Sequence, residues 1–218
     1  MSSEIRRETP LDRLISLVDH ALKNSTGAPP CAGRASPAPS HGHGGDLVEP
    51  AERRHAAGLM RVNHAGEIAA QALYHGQALV AQDPAVREFL LQAAREEGDH
   101  LVWCADRLRE LGSRPSVLGP VWYAGSALIG AAAGLAGDAV SLGFIAETER
   151  QVEGHIERHL ERLPSSDERS RAILEQMKSD EIAHRDHAIE RGGAPLTHAV
   201  QQLMRGTAKI MTKSAYWI

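Results

Sequence analysis

Two elements of this chain place a carboxylate and an imidazole one helical turn apart. They are Glu97-x-x-His100, within Arg95-Glu-Glu-Gly-Asp-His100, and Glu181-x-x-His184, within Asp180-Glu-Ile-Ala-His184. On an α-helix, residues i and i+3 share a face, so each pair can offer two ligands to one metal ion. Each pair is only half of a coordination site, and the missing carboxylates must come from other helices. A glutamate stands at a comparable distance upstream of each pair: Glu67 is 30 residues before Glu97, and Glu149 is 32 before Glu181.

One helix-breaking point separates each single glutamate from its pair, Asp83-Pro84 in the first half and Leu163-Pro-Ser-Ser166 in the second. If each half folds as an antiparallel hairpin, Glu67 lies 16 residues before Asp83 and Glu97 lies 14 after it. Around Ser165 the second half gives 16 residues in each direction, to Glu149 and to Glu181. The ligands therefore stand at matched depth. Two hairpins that each supply Glu plus Glu-x-x-His predict an all-α, ferritin-like four-helix bundle with a carboxylate-bridged dinuclear site. A lone Glu-x-x-His is commonplace on a solvated helix face. Two of them, each with its matched glutamate, are not.

The elements that must position these groups are legible in turn. The first bundle helix is expected from Ala51 to about Gln82, with Met60, His64, Glu67, Gln71 and Tyr74 at helical spacing. His64, one turn before Glu67, is a candidate partner of a ligand or contact for a substrate, or else a surface histidine. The second helix runs from Pro84 to about Leu111, proline suiting the first turn, and Trp103 one turn after His100 either roofs the site or belongs to the core. The third, from Asp138 to Leu163, offers Glu147, Glu149, Glu153, His155, Glu157 and His159. Hairpin depth favours Glu149 over Glu147, and six residues of rotation place His155 off that face. The fourth, from Asp167 to Arg191, carries Glu181 and His184 with Ile173, Met177 and Ala188 on one side, and Gly192-Gly193 ends it.

Outside the bundle, Pro10 followed by Leu11, Leu14, Ile15, Val18 and Leu22 predicts a short amphipathic helix. Residues 24 to 50, rich in Gly, Pro, Ser and Ala, read as a flexible linker, and its His41-Gly-His43 as a solvated loop pair. Together residues 1–50 form an accessory region before a metal-binding domain at 51–218. The N-terminus lacks the apolar run of a secretory signal. Between Pro115 and Gly137 there is no charged residue. A single membrane crossing there would put Glu67, Glu97 and His100 on the opposite side from Glu149, Glu181 and His184, which a shared site forbids. The segment is expected to be a helix-breaking hydrophobic connection that touches a membrane face or lines an apolar entrance. A small-residue helix packed on the bundle is the alternative. A last helix from Thr197 mixes Val200, Leu203 and Ile210 with Arg205, Lys209 and Lys213 and ends in Tyr216-Trp-Ile218, suiting a membrane interface or a cover for the bundle.

Composition narrows the function. A 218-residue chain of net charge −4 has no broad basic surface for nucleic acid. Cys31 and Cys104 form no C-x-x-C, so neither a disulfide framework nor a thiolate zinc site is indicated. Four carboxylates balance two divalent ions, and oxygen-rich ligation with two imidazoles suits iron or manganese better than zinc or copper.

The stretches Leu59-Met-Arg-Val-Asn-His-Ala-Gly-Glu67, Glu97-Gly-Asp-His100, Arg114-Pro-x-x-Leu118 and Asp180-Glu-Ile-Ala-His184 resemble the demethoxyubiquinone hydroxylase family of ubiquinone biosynthesis. The resemblance covers about residues 51 to 218. It implies a di-iron monooxygenase whose metal ligands are Glu67, Glu97, His100, Glu149, Glu181 and His184. It further implies O2-dependent hydroxylation of a polyprenylated methoxy-methyl benzoquinol, with two Fe ions per chain and an external reductant, NADH or equivalent. Expected partners are the quinol, O2, a membrane surface and other ubiquinone-biosynthesis proteins, with a homo-oligomer left open and no nucleic acid. The expected location is peripheral, on the cytoplasmic face of a bacterial inner membrane. Some members place a tyrosine after the histidine aligned with His155; here Ile156 stands there, so a role resting on that tyrosine does not transfer. Two other classes share the ligand pattern: a ferritin-like ferroxidase or iron-handling protein, and a non-catalytic quinone-binding member of a biosynthetic complex.

Overall fold

The computed structural model describes residues 9–25, 28–39 and 49–218. The described residues form seven helices: α1 (Pro10–Ser25), α2 (Pro50–Val80), α3 (Pro84–Glu110), α4 (Gly119–Leu135), α5 (Asp138–Arg162), α6 (Glu168–Glu190) and α7 (His198–Ala215). Helices α2 and α3 form one antiparallel hairpin, α5 and α6 the other, and α4 carries the chain between them. The fold is all-α, as the spacing predicts. The His41-Gly-His43 pair lies outside the described residues.

Each hairpin turn is set by a proline or an acidic cap. Asp83 caps α3 by accepting from the Ala85 amide at 2.8 Å, with Pro84 in the first turn. Asp167 caps α6 by accepting from the Ser170 amide at 3.0 Å. Its Oδ1 also accepts from buried Arg107 of α3 at 2.8 Å, which ties the end of the first hairpin to the turn of the second.

The bundle interior is layered. At one end Leu59 and Met60 of α2, Trp103 and Leu108 of α3, Ile156 of α5, and Ile173 and Met177 of α6 form one apolar cluster. At the other end Tyr74, Leu90, Leu142, Ile145 and Ala188 form a second. On every helix the metal-ligand candidates fall between these layers, because the ligand positions share a face and a height with the apolar ones. Both cysteines are free, Cys104 in the first layer and Cys31 exposed.

Residues 117–136 do not form the broken connection expected from their glycines and Pro120. They make one continuous helix, α4, in which Pro120 occupies the first turn, where its missing amide costs nothing. Small residues serve packing here. A Cβ at Gly76 of α2 would overlap the carbonyl oxygen of Ala127, and one at Gly130 would overlap that of Leu73. The α2 and α4 backbones therefore touch. The outward side of α4 leaves Val121, Leu128 and Leu135 at 60%, 74% and 72% exposure. Among the described residues no helix is long and apolar enough to cross a membrane.

Helix α1 forms where predicted, but it shows its apolar stripe to solvent: Leu11, Leu14, Ile15, Val18 and Leu22 are all exposed. It rests on α2 and α4 through Leu17 and Ala21, and the His20 ring lies 4.0 Å from that of His75. Asn24 donates to Gln71 at 2.7 Å. The next residues also depart from expectation. Instead of a free linker, residues 28–39 lie along α3: the Ala32 amide donates to the Arg95 carbonyl at 3.1 Å, and Gln71 donates to that of Pro30 at 3.0 Å. Composition gives no hint of this, because the contacts are made largely by backbone groups that carry no sequence signature.

The close α2–α4 approach makes a direct prediction. Gly76→Ala should lower stability by about 1–3 kcal/mol, the usual cost of overpacking, read as a reduced midpoint in urea. Gly125→Ala, where an added Cβ meets nothing within 4 Å, should not lower it.

Candidate metal centre

Glu67 comes from α2, Glu97 and His100 from α3, Glu149 from α5, and Glu181 and His184 from α6. The fold brings these six side chains together, each with no more than 4% exposure. Among the described residues, two groups have ligand atoms within 4.8 Å of one another: Glu67, Glu97, His100 and Glu181, and Glu97, Glu149, Glu181 and His184. Glu97 and Glu181 belong to both. With that overlap the cluster could hold two adjacent ions, Glu97 and Glu181 serving both, Glu67 and His100 completing one ligand set and Glu149 and His184 the other.

Both imidazoles turn the same edge inward. His100 Nδ1 lies 3.1 Å from Glu97 Oε2 and 3.4 Å from both Glu67 Oε2 and Glu181 Oε1. His184 Nδ1 lies 3.1 Å from Glu97 Oε1 and 3.5 Å from Glu181 Oε2. The outer nitrogens are each held by a carboxylate one residue before a ligand. His100 Nε2 pairs with Asp180 Oδ2 at 2.9 Å, and His184 Nε2 with Glu96 Oε2 at 2.7 Å. Such outer partners fix the tautomer and make the inner nitrogen a better ligand. Tyr74 donates its hydroxyl to Glu149 Oε1, orienting that carboxylate from the apolar layer.

Four buried carboxylates in one layer are costly unless positive charge or protons accompany them. Burial pushes Glu67 and Glu149 well above the ordinary carboxylate range, and neighbouring carboxylates push them further. Burial also opposes ionisation of Glu97, but the adjacent His100 charge overcomes it and holds Glu97 well below that range. Burial alone would lower both histidines; the charge of Glu97 beside His100, and the carboxylates of Glu181 and Glu96 facing His184, raise them well up instead. Without metal, proton uptake by this layer is favoured.

The residues fit a pair of hard divalent cations. Glu97 Oε1, Glu149 Oε2, both oxygens of Glu181 and His184 Nδ1 are buried without a hydrogen bond, although some lie within ion-pair distance of one another. Buried acceptors aimed at one point and left unpaired are what metal ligands look like before the metal is counted. Six such donors, four carboxylate and two imidazole, suit iron or manganese.

Other candidates fall elsewhere. Glu147, itself buried, pairs with Arg150 at 2.6 Å and belongs to neither four-ligand group, whereas Glu149 belongs to one. His155 stacks on His159, which meets Asn63 at 3.0 Å, and neither joins the cluster. His64 is buried with Nδ1 unpaired, outside both ligand groups. His187, with Glu88, Phe89, Gln92 and Arg191, lines a cavity of about 550 Å³ between α3 and α6 that reaches His184 and Glu96. Trp103 packs with its ring 5.4 Å from that of His100. Asp180 and Glu96 were not singled out from sequence. The doubled acids Glu96-Glu97 and Asp180-Glu181 are the signal that could have found them.

Fold and site together define an all-α, ferritin-like protein with a buried carboxylate–histidine cluster that could hold metal ions. Comparison with known proteins narrows the class. The sequence profile of the family described as Ubiquinone biosynthesis protein COQ7 matches residues 54–215. A protein named 3-demethoxyubiquinol 3-hydroxylase from Cupriavidus taiwanensis is 59% identical over 208 residues, covering 95% of this chain and all of the relative. Proteins of the same name from Bordetella parapertussis and Nitrosococcus oceani are each 54% identical, over 98% and 99% of this chain and 95% and 100% of their own length. The chain belongs to the COQ7 family.

The crowding of carboxylates in this layer gives one substitution two opposite effects. Glu149 is protonated more readily folded than unfolded, so its ionisation costs stability as pH rises above the ordinary carboxylate value toward the raised one. Glu149→Gln should therefore raise the metal-free melting temperature at pH 8 relative to wild type and weaken ferrous binding at least tenfold, a loss in line with that for disturbed ligand sets. Scanning calorimetry of the metal-free proteins and anaerobic iron titration check the two halves.

Proposed function

We propose that this chain hydroxylates the ring of a polyprenylated demethoxyubiquinol at a dinuclear iron site. The reading rests on two four-ligand groups sharing Glu97 and Glu181, in a chain 54–59% identical to proteins named 3-demethoxyubiquinol 3-hydroxylase. Two ferrous ions at these ligands would supply the electrons that activate dioxygen. The net reaction converts a ring C–H to C–OH, with the second oxygen leaving as water, two electrons and one proton coming from a reductant such as NADH and the second proton from solvent.

The chain's own residues prepare this chemistry. Asp180 and Glu96 take the outer N–H of His100 and His184, so that each imidazole, once its inner nitrogen gives up its proton, would face inward with a lone pair. Glu97 and Glu181, common to both four-ligand groups, would hold both ions. Tyr74 holds one oxygen of Glu149 and leaves the other aimed inward. The apolar layers above and below exclude water, which strengthens every charge interaction within and protects a reactive centre from side reactions.

A substrate with a long isoprenoid tail resides in a bilayer, so the protein must meet one. We assign that contact to the exposed apolar residues of α4 and α1, and place the protein as a peripheral one on the cytoplasmic face of a bacterial inner membrane. Supporting this are Val121, Leu128 and Leu135 on α4 and the outward stripe Leu11, Leu14, Ile15, Val18 and Leu22 on α1. Surface apolar groups of this extent mark interaction sites.

Two tests follow. The purified protein, loaded anaerobically with ferrous iron, is given oxygen, a reductant and a short-tailed demethoxyubiquinone, and the quinone is analysed by mass. A gain of one oxygen atom is expected, and Glu181→Ala should abolish it with helicity nearly intact. Iron oxidation without quinone product would instead favour a ferroxidase, and no iron uptake a binding module. For the membrane contact, Leu128→Glu with Leu135→Glu should reduce co-sedimentation with anionic phospholipid vesicles several-fold; unchanged sedimentation would remove α4 from the contact.

A further inference from the structure

We infer that residues 28–39 are a strap bracing one of the two metal positions, with Arg34 as its positioning residue. The inference rests on the dinuclear reading of the site. It concerns a stretch outside the 54–215 region that the family profile matches.

The strap seats on α3 beside the ligands. The Gly33 amide donates to Asp99 Oδ1 at 2.8 Å, and the Arg34 carbonyl accepts from Trp103 Nε1 at 3.3 Å. Gly98, between Glu97 and Asp99, makes room for it: a Cβ there would overlap the carbonyl of Pro30. The absence of a side chain at 98 thus lets a foreign backbone approach the helix directly behind two ligands.

From this seat Arg34 reaches across both hairpins. Its Nε donates to Asp99 Oδ2 at 2.6 Å, and its Nη1 to Asp180 Oδ2 at 2.8 Å, while its guanidinium lies 5.0 Å over the Trp103 ring. Asp180 Oδ2 is the same atom that accepts from His100 Nε2 at 2.9 Å. Gln176 holds the other oxygen, Oδ1, at 2.9 Å. The Asp180 side chain is 16% exposed. Arg34 therefore restrains the one oxygen that orients His100, in a geometry suited to a planar fork with several donors. A lysine, with one nitrogen, can reach Asp99 or Asp180 but reproduces the pair poorly.

The second position is braced differently. Glu96, the outer partner of His184, is held by Gln92 at 2.7 Å, and Arg34 meets only the Glu96 backbone carbonyl, at 3.5 Å. The strap acts on the His100 side.

This asymmetry gives the test. Wild type, Arg34→Ala, Arg34→Lys, Asp180→Asn and the Arg34→Ala/Asp180→Asn double variant are titrated anaerobically with ferrous iron, followed by calorimetry and near-infrared circular dichroism. Wild type should bind two ions; failure of that step would reject the dinuclear reading itself. Arg34→Ala should weaken one binding step about tenfold, the low end for loss of a ligand's outer partner, shift the bands of one ion, and leave the other step unchanged. Arg34→Lys should fall between. The double variant should lose no more than Asp180→Asn alone, because Arg34, whose Nη2 also lies 3.5 Å from His100 Nε2, acts on that imidazole chiefly through the shorter Asp180 bond of 2.8 Å. Equal weakening of both steps, additive losses in the double variant, or unchanged affinity and spectrum in Arg34→Ala would each overturn the inference.

Discussion

Four glutamates buried side by side, Glu67, Glu97, Glu149 and Glu181, are the constraint to which the rest of the molecule answers. Left ionised and unaccompanied, they would repel one another in a medium that screens them poorly. In the metal-free chain burial and like charge raise Glu67 and Glu149 while the facing carboxylates raise His100 and His184, so the layer favours bound protons. Metal ions would displace those protons and leave the ligands in the form that binds. Proton release and metal uptake are thereby one equilibrium.

The layering of the bundle follows from that constraint. An apolar cluster above and another below keep water out and fix the rotamers of the helices that carry the ligands. Neither hairpin has a complete site, and each contributes one of the shared carboxylates. Assembly of the hairpins is what creates the centre. The Arg107–Asp167 ion pair ties their ends at one side of the bundle, and α4 spans the distance between them along α2.

The small residues of α4 serve two ends at once. Glycines facing α2 let the two backbones touch, so the helix is anchored largely by small residues, with Tyr123 as its buried large side chain on that side. The larger ones, Val121, Leu128 and Leu135, are left to face outward. In water that is a poor arrangement, and it becomes reasonable where the outward side meets apolar material. The exposed stripe of α1 repeats the pattern.

Much of this was determined by sequence alone, because it depends on local periodicity. Ligand pairs one turn apart, proline and acidic turn signals, and nearly equal arm lengths around each turn pointed to the helices, the hairpins and the depth at which Glu149, more than Glu147, would meet its partners. Only tertiary structure decided the rest. Whether Leu11 to Leu22 faced core or solvent depended on which side of α1 found α2, and an amphipathic pattern names a face without naming its neighbour. That Pro120 begins a helix instead of breaking one depended on where the chain enters it. Asp180 and Glu96 became the outer partners of His100 and His184 only across the α3–α6 contact. Arg34 is 62 or more residues from every group it holds; a contact between an irregular strap and a helix leaves no period to read, because it is made by backbone atoms and one side chain whose partners the fold alone supplies.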